Sequence, residues 1–317
     1  MLFIKNIIYK IFIGLPKKIF FTYIKLHREK IIFAFPNLFR FSSKPYISGD
    51  SFRKISKHIL DDGKRFNPKK VKAGDIVFVQ SNFINEYFLK FSPLISEKHI
   101  LISHNNYEPV EDRFVKKIDS KVSHWFAENL NTDCQNSKLS ALPLGLENLR
   151  YLKNGIRSHY KTKKVKFNIL NKDQLVLSSF APHTNPERRD NISIIANNLD
   201  YVDIRVFKNH NLYIQNLSRY KFNICPPGMG YDTHRFWESL IVKCIPIVIN
   251  NNVIKHFSNI GIPMLVVEKW EEMYKFSAKD LENIYSQLSP LLMQEKYLYL
   301  EYWISEIKKK QNKLISK

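Results

Sequence analysis

The sequence predicts an α/β protein made of two Rossmann-like domains in tandem that face a cleft, preceded by a basic amphipathic arm. Three observations lead there. Short β-branched runs alternate with helix-length stretches along the chain, the order expected of βα units feeding a parallel sheet. The series is interrupted by a basic stretch at 150–172 and then begins again. A length of 317 residues suits two domains of roughly 150 residues better than one. The expected division is an arm over 1–40, an acceptor-side domain over 41–160, a donor domain over 161–290 and a C-terminal helix over 291–317.

In the first half, 76–80 (IVFVQ) and 99–103 (HILIS) are β-branched runs bounded by turn residues and predict buried parallel strands. A helical stretch at 85–96 lies between them, and 124–126 and 141–143 predict further short strands. In the second half strands are expected at 175–180, 202–207, 222–225, 245–249 and 264–267. Helices are expected at 186–198, 212–220 and 234–242. Asn185 stands ahead of a first-turn Pro186, which suits a helix cap. The tail, 280–289 and 295–310, reads as helical.

Composition narrows the class. With 44% hydrophobic and 14% aromatic residues, and only 9 Gly and 14 Pro, the chain buries a core, which excludes disordered and fibrous classes. Cys134, Cys225 and Cys244 are too few and too scattered for a disulfide framework or a zinc cluster, so a reduced, cytosol-facing compartment is expected. The net charge of +21 is concentrated. Residues 1–72 hold 17 Lys and Arg against 4 Asp and Glu, residues 150–172 hold 8 against none, and the remainder is neutral. Nucleic acid or an anionic membrane surface would suit such patches. Neutrality elsewhere argues against a dedicated nucleic-acid binder. The first 40 residues interleave Leu2, Phe3, Ile7, Ile8, Phe12, Ile19 and Phe20 with Lys5, Lys10, Lys17, Lys18, Lys25 and Arg28. No uncharged run reaches the ~18–20 residues of a membrane span. The pattern fits a helix lying in the membrane interface, and equally an ordinary first helix and strand with solvated lysines.

The chemistry concentrates at 222–250, FNICPPGMGYDTHRFWESLIVKCIPIVIN. A buried strand runs into a loop whose Gly228 and Gly230 allow close approach of a ligand. Asp232, Thr233, His234 and Arg235 then open a helix whose first amides, with Arg235, suit a phosphate. Glu238 lies one turn further on the same face. Loop and helix fall at the carboxyl edge of a parallel sheet, where open α/β folds bind nucleotides. Neither a P-loop nor a G-x-G-x-x-G fingerprint is present, which fits a nucleotide sugar.

The same segment, Cys225-Pro226-Pro227-Gly228-Met229-Gly230 through Asp232-Thr233-His234-Arg235 to Trp237-Glu238, resembles the donor-binding segment of exostosin-like glycosyltransferases, enzymes of the glycosyltransferase-B fold. Residues 99–112, 124–150 and 178–189 resemble three further blocks of that family, in the right order, so the resemblance covers roughly 76–250. It departs at Pro227 and Met229, where the family commonly has Arg and Asn, and at Asn106, where an Asp is common. The resemblance implies that Glu238 holds the donor ribose, that Arg235 and His234 meet the diphosphate, and that one of Arg188 and Arg189 anchors it while the other is solvated. Asp232 either caps the helix or touches ligand. The acceptor-side base would come from His104, Glu108 or Asp112, with His104 alternatively orienting its loop through backbone hydrogen bonds. Trp125, Phe126 and Trp237 are expected in the core, and Glu147 and Asn148 at a turn or on the cleft.

These readings converge on an enzyme that moves a sugar from a nucleotide-sugar donor to a glycan or lipid-linked acceptor in surface polysaccharide or lipopolysaccharide synthesis. It would be cytoplasmic and peripheral at the inner face of the membrane. No Asp-x-Asp is present to hold a metal against the diphosphate, so a metal-independent transfer without cofactor is expected, with Arg and helix amides neutralising the leaving group; the resemblance implies that the transfer is inverting. The alternatives are a basic nucleic-acid- or membrane-binding protein without transferase activity, and a sugar-binding relative without turnover.

Overall fold

The computed structural model describes residues 40–133, 136–160, 167–170 and 172–315, with Lys30 and Asn37 ahead of them. The expected N-terminal arm, apart from these isolated positions, lies outside the described residues, as does Cys134; Cys225 and Cys244 are buried free thiols.

Two five-stranded, wholly parallel sheets form the frame. The first follows helix α1 (Gly49–Ile55) and contains β1 (His58–Leu60), β2 (Ile76–Gln80), β3 (His99–His104), β4 (Val122–Glu128) and β5 (Leu139–Leu142), side by side in chain order. Its strands are apolar on both faces: Val77, Phe78, Val79, Ile100, Leu101 and Ile102 are all fully buried, as a sheet covered on two sides requires. Trp125 and Phe126 belong to this interior, and the Trp125 indole donates to Ser103 Oγ at 2.9 Å.

The second sheet contains β6 (Gln174–Ser178), β7 (Val202–Ile204), β8 (Tyr220–Ile224), β9 (Ile245–Ile249) and β10 (Leu265–Val267), in the order β10-β9-β8-β6-β7. Helices α2 (Pro186–Asn197), α3 (His210–Leu217), α4 (His234–Ile241) and α5 (Asn252–Asn259) connect these strands. The chain reverses direction across the sheet between β6 and β8. The loops leaving these two strands therefore diverge and open a crevice at their carboxyl ends. Helices α6 (Ala278–Leu288) and α7 (Leu300–Ile315) complete the chain, and α7 returns to pack against β3 and β4 of the first sheet. No helix among the described residues is long and apolar enough to cross a membrane.

Several expected elements change shape. The stretch 85–96 is a single helical turn, Ile84–Glu86, continued by a wider turn over Tyr87–Phe91 and a tight one over Ser92–Leu94. Pro93 in that last turn cannot donate to a continuing helix. The strand expected at 202–207 stops at Ile204, because β7 is a sheet edge whose Ile204 and Val206 face solvent. Asn185 does not cap α2; its side-chain amide donates instead to the Gly228 carbonyl at 2.8 Å. Helices α1 and α5 and strand β1 were not anticipated, and α5 is capped by Asn251 accepting from the Ile254 N–H at 3.0 Å.

Candidate active site

A cleft of about 1270 Å³ opens between the carboxyl edges of the two sheets. From the first sheet come the ends of β3, β4 and β5: His104 to Tyr107, Glu128, and the segment from Leu144 to Asn148. From the second come the loops after β6 and β8 and the start of α4, at the point where the strand order reverses.

Residues 226–230 are clamped from α2. Arg189 Nε donates to the Pro227 carbonyl at 2.9 Å, and Arg188 Nη1 donates to the Gly228 carbonyl at 3.2 Å. Arg189 is buried and lines the cleft, whereas Arg188 lies over the Tyr231 ring, 4.6 Å from its centroid, and outside the cleft wall. A Cβ on Gly228 would stand 2.9 Å from Arg189 Nη2, so glycine is required there for the guanidinium to sit where it does. Gly230 has no such crowding, its nearest neighbours to a built Cβ being 3.6 Å away.

Arg235 donates Nε to the Ser179 carbonyl at 3.0 Å. Neither Arg189 nor Arg235 has a carboxylate partner among the described residues, although both line one cleft. Burial, reinforced by the neighbouring positive charge of Arg235, pulls Arg189 down to about 10. Two guanidiniums held close without an anion between them form a receptor for one. Helix α4 adds to it. Thr233 occupies the N-cap position in an extended conformation, and its hydroxyl makes no bond to the first-turn N–H groups; the Phe236 N–H donates to the Thr233 carbonyl at 3.0 Å, which leaves the N–H groups of His234 and Arg235, two residues of the cleft wall.

Glu238 is buried rather than lying on a helix surface, and its partner is not Arg235. Oε1 accepts from His210 Nε2 at 2.8 Å and from the Tyr160 hydroxyl at 3.1 Å. Burial pushes its acidity toward the neutral form, but the His210 hydrogen bond and the charges of His210, His234 and Arg235 outweigh that and hold it below the usual carboxylate range. Oε2 has no hydrogen-bond partner among the described residues and belongs to the cleft wall.

Asp232 lines the cleft and is not the cap of α4, whose N-cap position is Thr233. Its Oδ2 accepts the Leu144 N–H at 3.0 Å and the Trp237 indole N–H at 2.8 Å. It is one of three bonds that fasten the loop after β8 to the first sheet. The Tyr231 N–H donates to Asn129 Oδ1 at 2.9 Å, and His234 Nδ1–H donates to the Gly145 carbonyl at 2.7 Å, which leaves His234 Nε2 facing the cleft.

The three residues named for a base part company. His104 lines the cleft, but Nε2 donates to the Pro143 carbonyl at 3.0 Å, while Nδ1 sits 2.7 Å from the Asn105 N–H and 2.8 Å from Glu128 Oε2. Burial disfavours its charged form, but the Glu128 carboxylate, the Pro143 carbonyl and Asp232 prevail and raise its pKa. Both nitrogens are thus engaged within the protein, the loop-orienting arrangement. Glu108 pairs with Arg113 at 3.0 Å and Asp112 accepts from Thr132, and both are turned away from the cleft, Asp112 into a separate small depression. The reason is the left-handed Asn105 (φ 69°), which turns the chain back after β3. The first-sheet carboxylate that does reach the cleft is Glu128, the last residue of β4, which the sequence did not single out. Glu147 accepts from Asn154 within a turn, whereas Asn148 is in the cleft, accepting the Asp50 N–H at 2.8 Å.

No protein-family model matches the chain, and no curated protein does. Solved structures of similar fold include an α,α-trehalose-phosphate synthase (UDP-forming) from Burkholderia vietnamiensis, at 10% identity and TM-score 0.38 over 78% of this chain and 72% of that one. A pneumococcal O-GlcNAc transferase GtfA, solved with UDP and GlcNAc, matches at 11% identity and TM-score 0.30 over 77% of this chain and 54% of its own. A GtfA/B complex matches at 11% identity and TM-score 0.34, over 77% and 58%. The chain spans little more than half the length of these last two. What the protein does has to be read from the geometry of its cleft.

Proposed function

We propose that the protein is a glycosyltransferase of the B-fold type that moves a sugar from a nucleotide donor to a glycan or lipid-linked acceptor, of the kind used in surface polysaccharide or lipopolysaccharide synthesis. The observation that carries this reading is the unpaired cation pair Arg189 and Arg235 at the switch point of the second sheet, beside the open first turn of α4 and the bare Oε2 of Glu238. Together they offer an anion receptor and a hydroxyl acceptor, the two chemistries of a nucleoside diphosphate. In the reaction the acceptor hydroxyl loses its proton as its oxygen attacks the sugar's anomeric carbon, and the bond to the diphosphate breaks. Charge building on that diphosphate is met by Arg189, Arg235 and the α4 amides, which fits a transfer without metal. We assign the proton to Glu128, the carboxylate facing the cleft from the opposite sheet, with His104 as the ion partner that orients it. Direct displacement of this kind inverts the anomeric centre. The basic arm would keep the enzyme at an anionic membrane face.

The test is thermal shift against UDP, GDP, CMP and their sugars, with and without EDTA. A ligand at 100 times its dissociation constant stabilises by about 2.7 kcal/mol. The expected result is a shift by one nucleotide class that survives EDTA, disappears in Arg235→Ala and persists in Glu128→Gln, which binds donor but has lost turnover by about 100-fold or more. Stabilisation by none of them, with salt-sensitive binding to DNA or RNA instead, would overturn the assignment.

A further inference from the structure

In a parallel sheet every strand begins on the same edge, and the first sheet begins on lysines. Lys57, Lys98, Lys121 and Lys138 each stand immediately before a strand, β1, β3, β4 and β5. Backbone hydrogen bonds join them into a row. The Gly74 N–H donates to the Lys98 carbonyl at 2.8 Å, the His99 N–H to that of Lys121 at 2.9 Å, and the Trp125 N–H to that of Lys138 at 2.7 Å. The exception is Asp75, ahead of β2, and its carboxylate is taken: Oδ1 accepts from Lys57 Nζ at 3.0 Å and Oδ2 pairs with His58 Nε2 at 2.8 Å. Other elements add to this amino edge. The turn Pro68–Lys70 packs on the turn Ser92–Leu94 that leads to β3, and Lys69, Lys70 and then Lys72, on the approach to β2, are all exposed. Helix α7 runs from Pro45 to Gly74, so its last turns bring Lys310 and Lys313 to the same edge. Burial, and then the Lys310 charge, hold His124 near the start of β4 down to about 3.

No carboxylate pairs with Lys69, Lys70, Lys72, Lys98 or Lys313 among the described residues. Of the other acids at this edge, Asp119 accepts the backbone N–H groups of Lys121 and Val122, and Glu97 stands exposed beside Lys98. The balance is cationic, and such a surface attracts a polyanion. Apolar residues choose which one. Leu94, in the turn against Pro68–Lys70, is 53% exposed, and the sequence ahead of Lys30 interleaves Ile, Leu and Phe with lysine. A nucleic-acid backbone rewards the cations alone, whereas a bilayer with anionic headgroups rewards both. We propose that the amino edge of the first sheet, with the end of α7, is a surface on which the folded body docks to an anionic bilayer, a contact separate from the arm and from the donor site. The strands β2 to β4 are five to seven residues long, so a bilayer at this edge leaves the cleft open at their other end, roughly 20 Å away.

The experiment is flotation of the full chain with vesicles of phosphatidylcholine alone and of phosphatidylcholine with an equal part of phosphatidylglycerol. Wild type should float with the second and not the first, and less so as salt is added. Lys72→Gln, Lys98→Gln and Lys313→Gln combined should unfold at the wild-type temperature and weaken partitioning by about 100-fold, at about fivefold per lysine. Lys255→Gln, Lys275→Gln and Lys279→Gln combined remove the same charge from exposed positions after β9 and should float like wild type. No loss in the first triple variant, or equal loss in both, would overturn the assignment. So would a wild type that ignores anionic vesicles or binds duplex DNA in preference to them. Nucleotide-induced thermal shifts should be the same in wild type and the first triple variant, so failure of this surface leaves the donor site standing, and failure of nucleotide binding leaves this surface standing.

Discussion

Asp232 is a carboxyl held without solvent between two N–H donors, one from Leu144 near the first sheet and one from the Trp237 indole. Burial, with the nearby Glu128 charge working the same way, pushes it up to about 6 against the lowering effect of those two hydrogen bonds. An unfolded Asp titrates near ~3.9, so the fold favours the neutral acid. The stabilisation is complete below about pH 4 and is lost as pH rises through about 6, leaving an ionised carboxylate at neutral pH at a cost on the order of 3 kcal/mol. Asp232→Asn keeps a carbonyl that can accept from both donors and never ionises. Thermal unfolding between pH 4.5 and 7.5 should show the variant at or above wild type at pH 7.5, with the gap closing toward pH 4.5. Asp232→Ala should fall below wild type throughout, since each orphaned N–H costs about 1–3 kcal/mol. An Asn variant destabilised equally at both ends of the range would refute the account. The sequence showed that 232–238 open a helix at a sheet edge, and these residues do meet in one cleft. It did not show that Asp232 would turn to Leu144, or that Glu238 would find His210 and Tyr160, because those partners arrive from 28 to 88 residues away. Spacing along one helix fixes which residues share a face, not what is packed against it.

Among the elements, the legible ones were those whose whole pattern was local. Strand β9 falls where the apolar run 245–249 stands, and β2 where 76–80 does, because a strand buried on both faces is a continuous apolar string bounded by turns. Strand β1, three residues with a histidine first, carries no such string. The junction of α3 and α4 was also invisible. Both helices end over Lys172, whose Nζ donates to the Ser218 carbonyl at 2.7 Å and the Val242 carbonyl at 2.8 Å, the C-cap residues of the two helices. A cation there meets two negative dipole ends at once. Burial nonetheless pulls Lys172 down to about 8. A lysine depressed in the fold loses stability where the unfolded chain still binds the proton, so its burden is full below about pH 8 and lifts toward pH 10, while the neutral amine can still donate twice. Lys172→Met should therefore cost about 1–3 kcal/mol at pH 7, and the difference from wild type should widen between pH 7 and 9.5. Urea unfolding at the two pH values checks it; a difference that shrinks with pH would show that the charge, not the pair of hydrogen bonds, is what α3 and α4 need.

At the scale of the molecule, the chain passes between the sheets twice, once through 143–173 and again when α7 leaves the second half and lies on β3 and β4. The return is fixed at both ends. The Leu300 N–H donates to the Pro45 carbonyl at 2.9 Å, Tyr46 and Tyr299 stack with centroids 6.0 Å apart, and Gln311 Nε2 donates to the Gly74 carbonyl at 2.6 Å, just ahead of β2. Ile307, one turn before Gln311, is fully buried. The first sheet thus completes its cover with a helix that follows the second sheet in the chain. Ile307→Ala removes apolar cover from the first sheet and should cost about 2–5 kcal/mol, lowering the unfolding temperature by several degrees. The location of the loss is the sharper test. Hydrogen exchange should quicken in peptides covering β2, β3 and β4 and stay near wild type in β8 and β9, because an element opens with the units it packs on. Faster exchange confined to the second sheet would place α7 with the half it grows from. Equal acceleration in both would mean that the two sheets open as one cooperative body, held together by the Asn129, Leu144 and Gly145 contacts to the loop after β8 as firmly as either is held within itself.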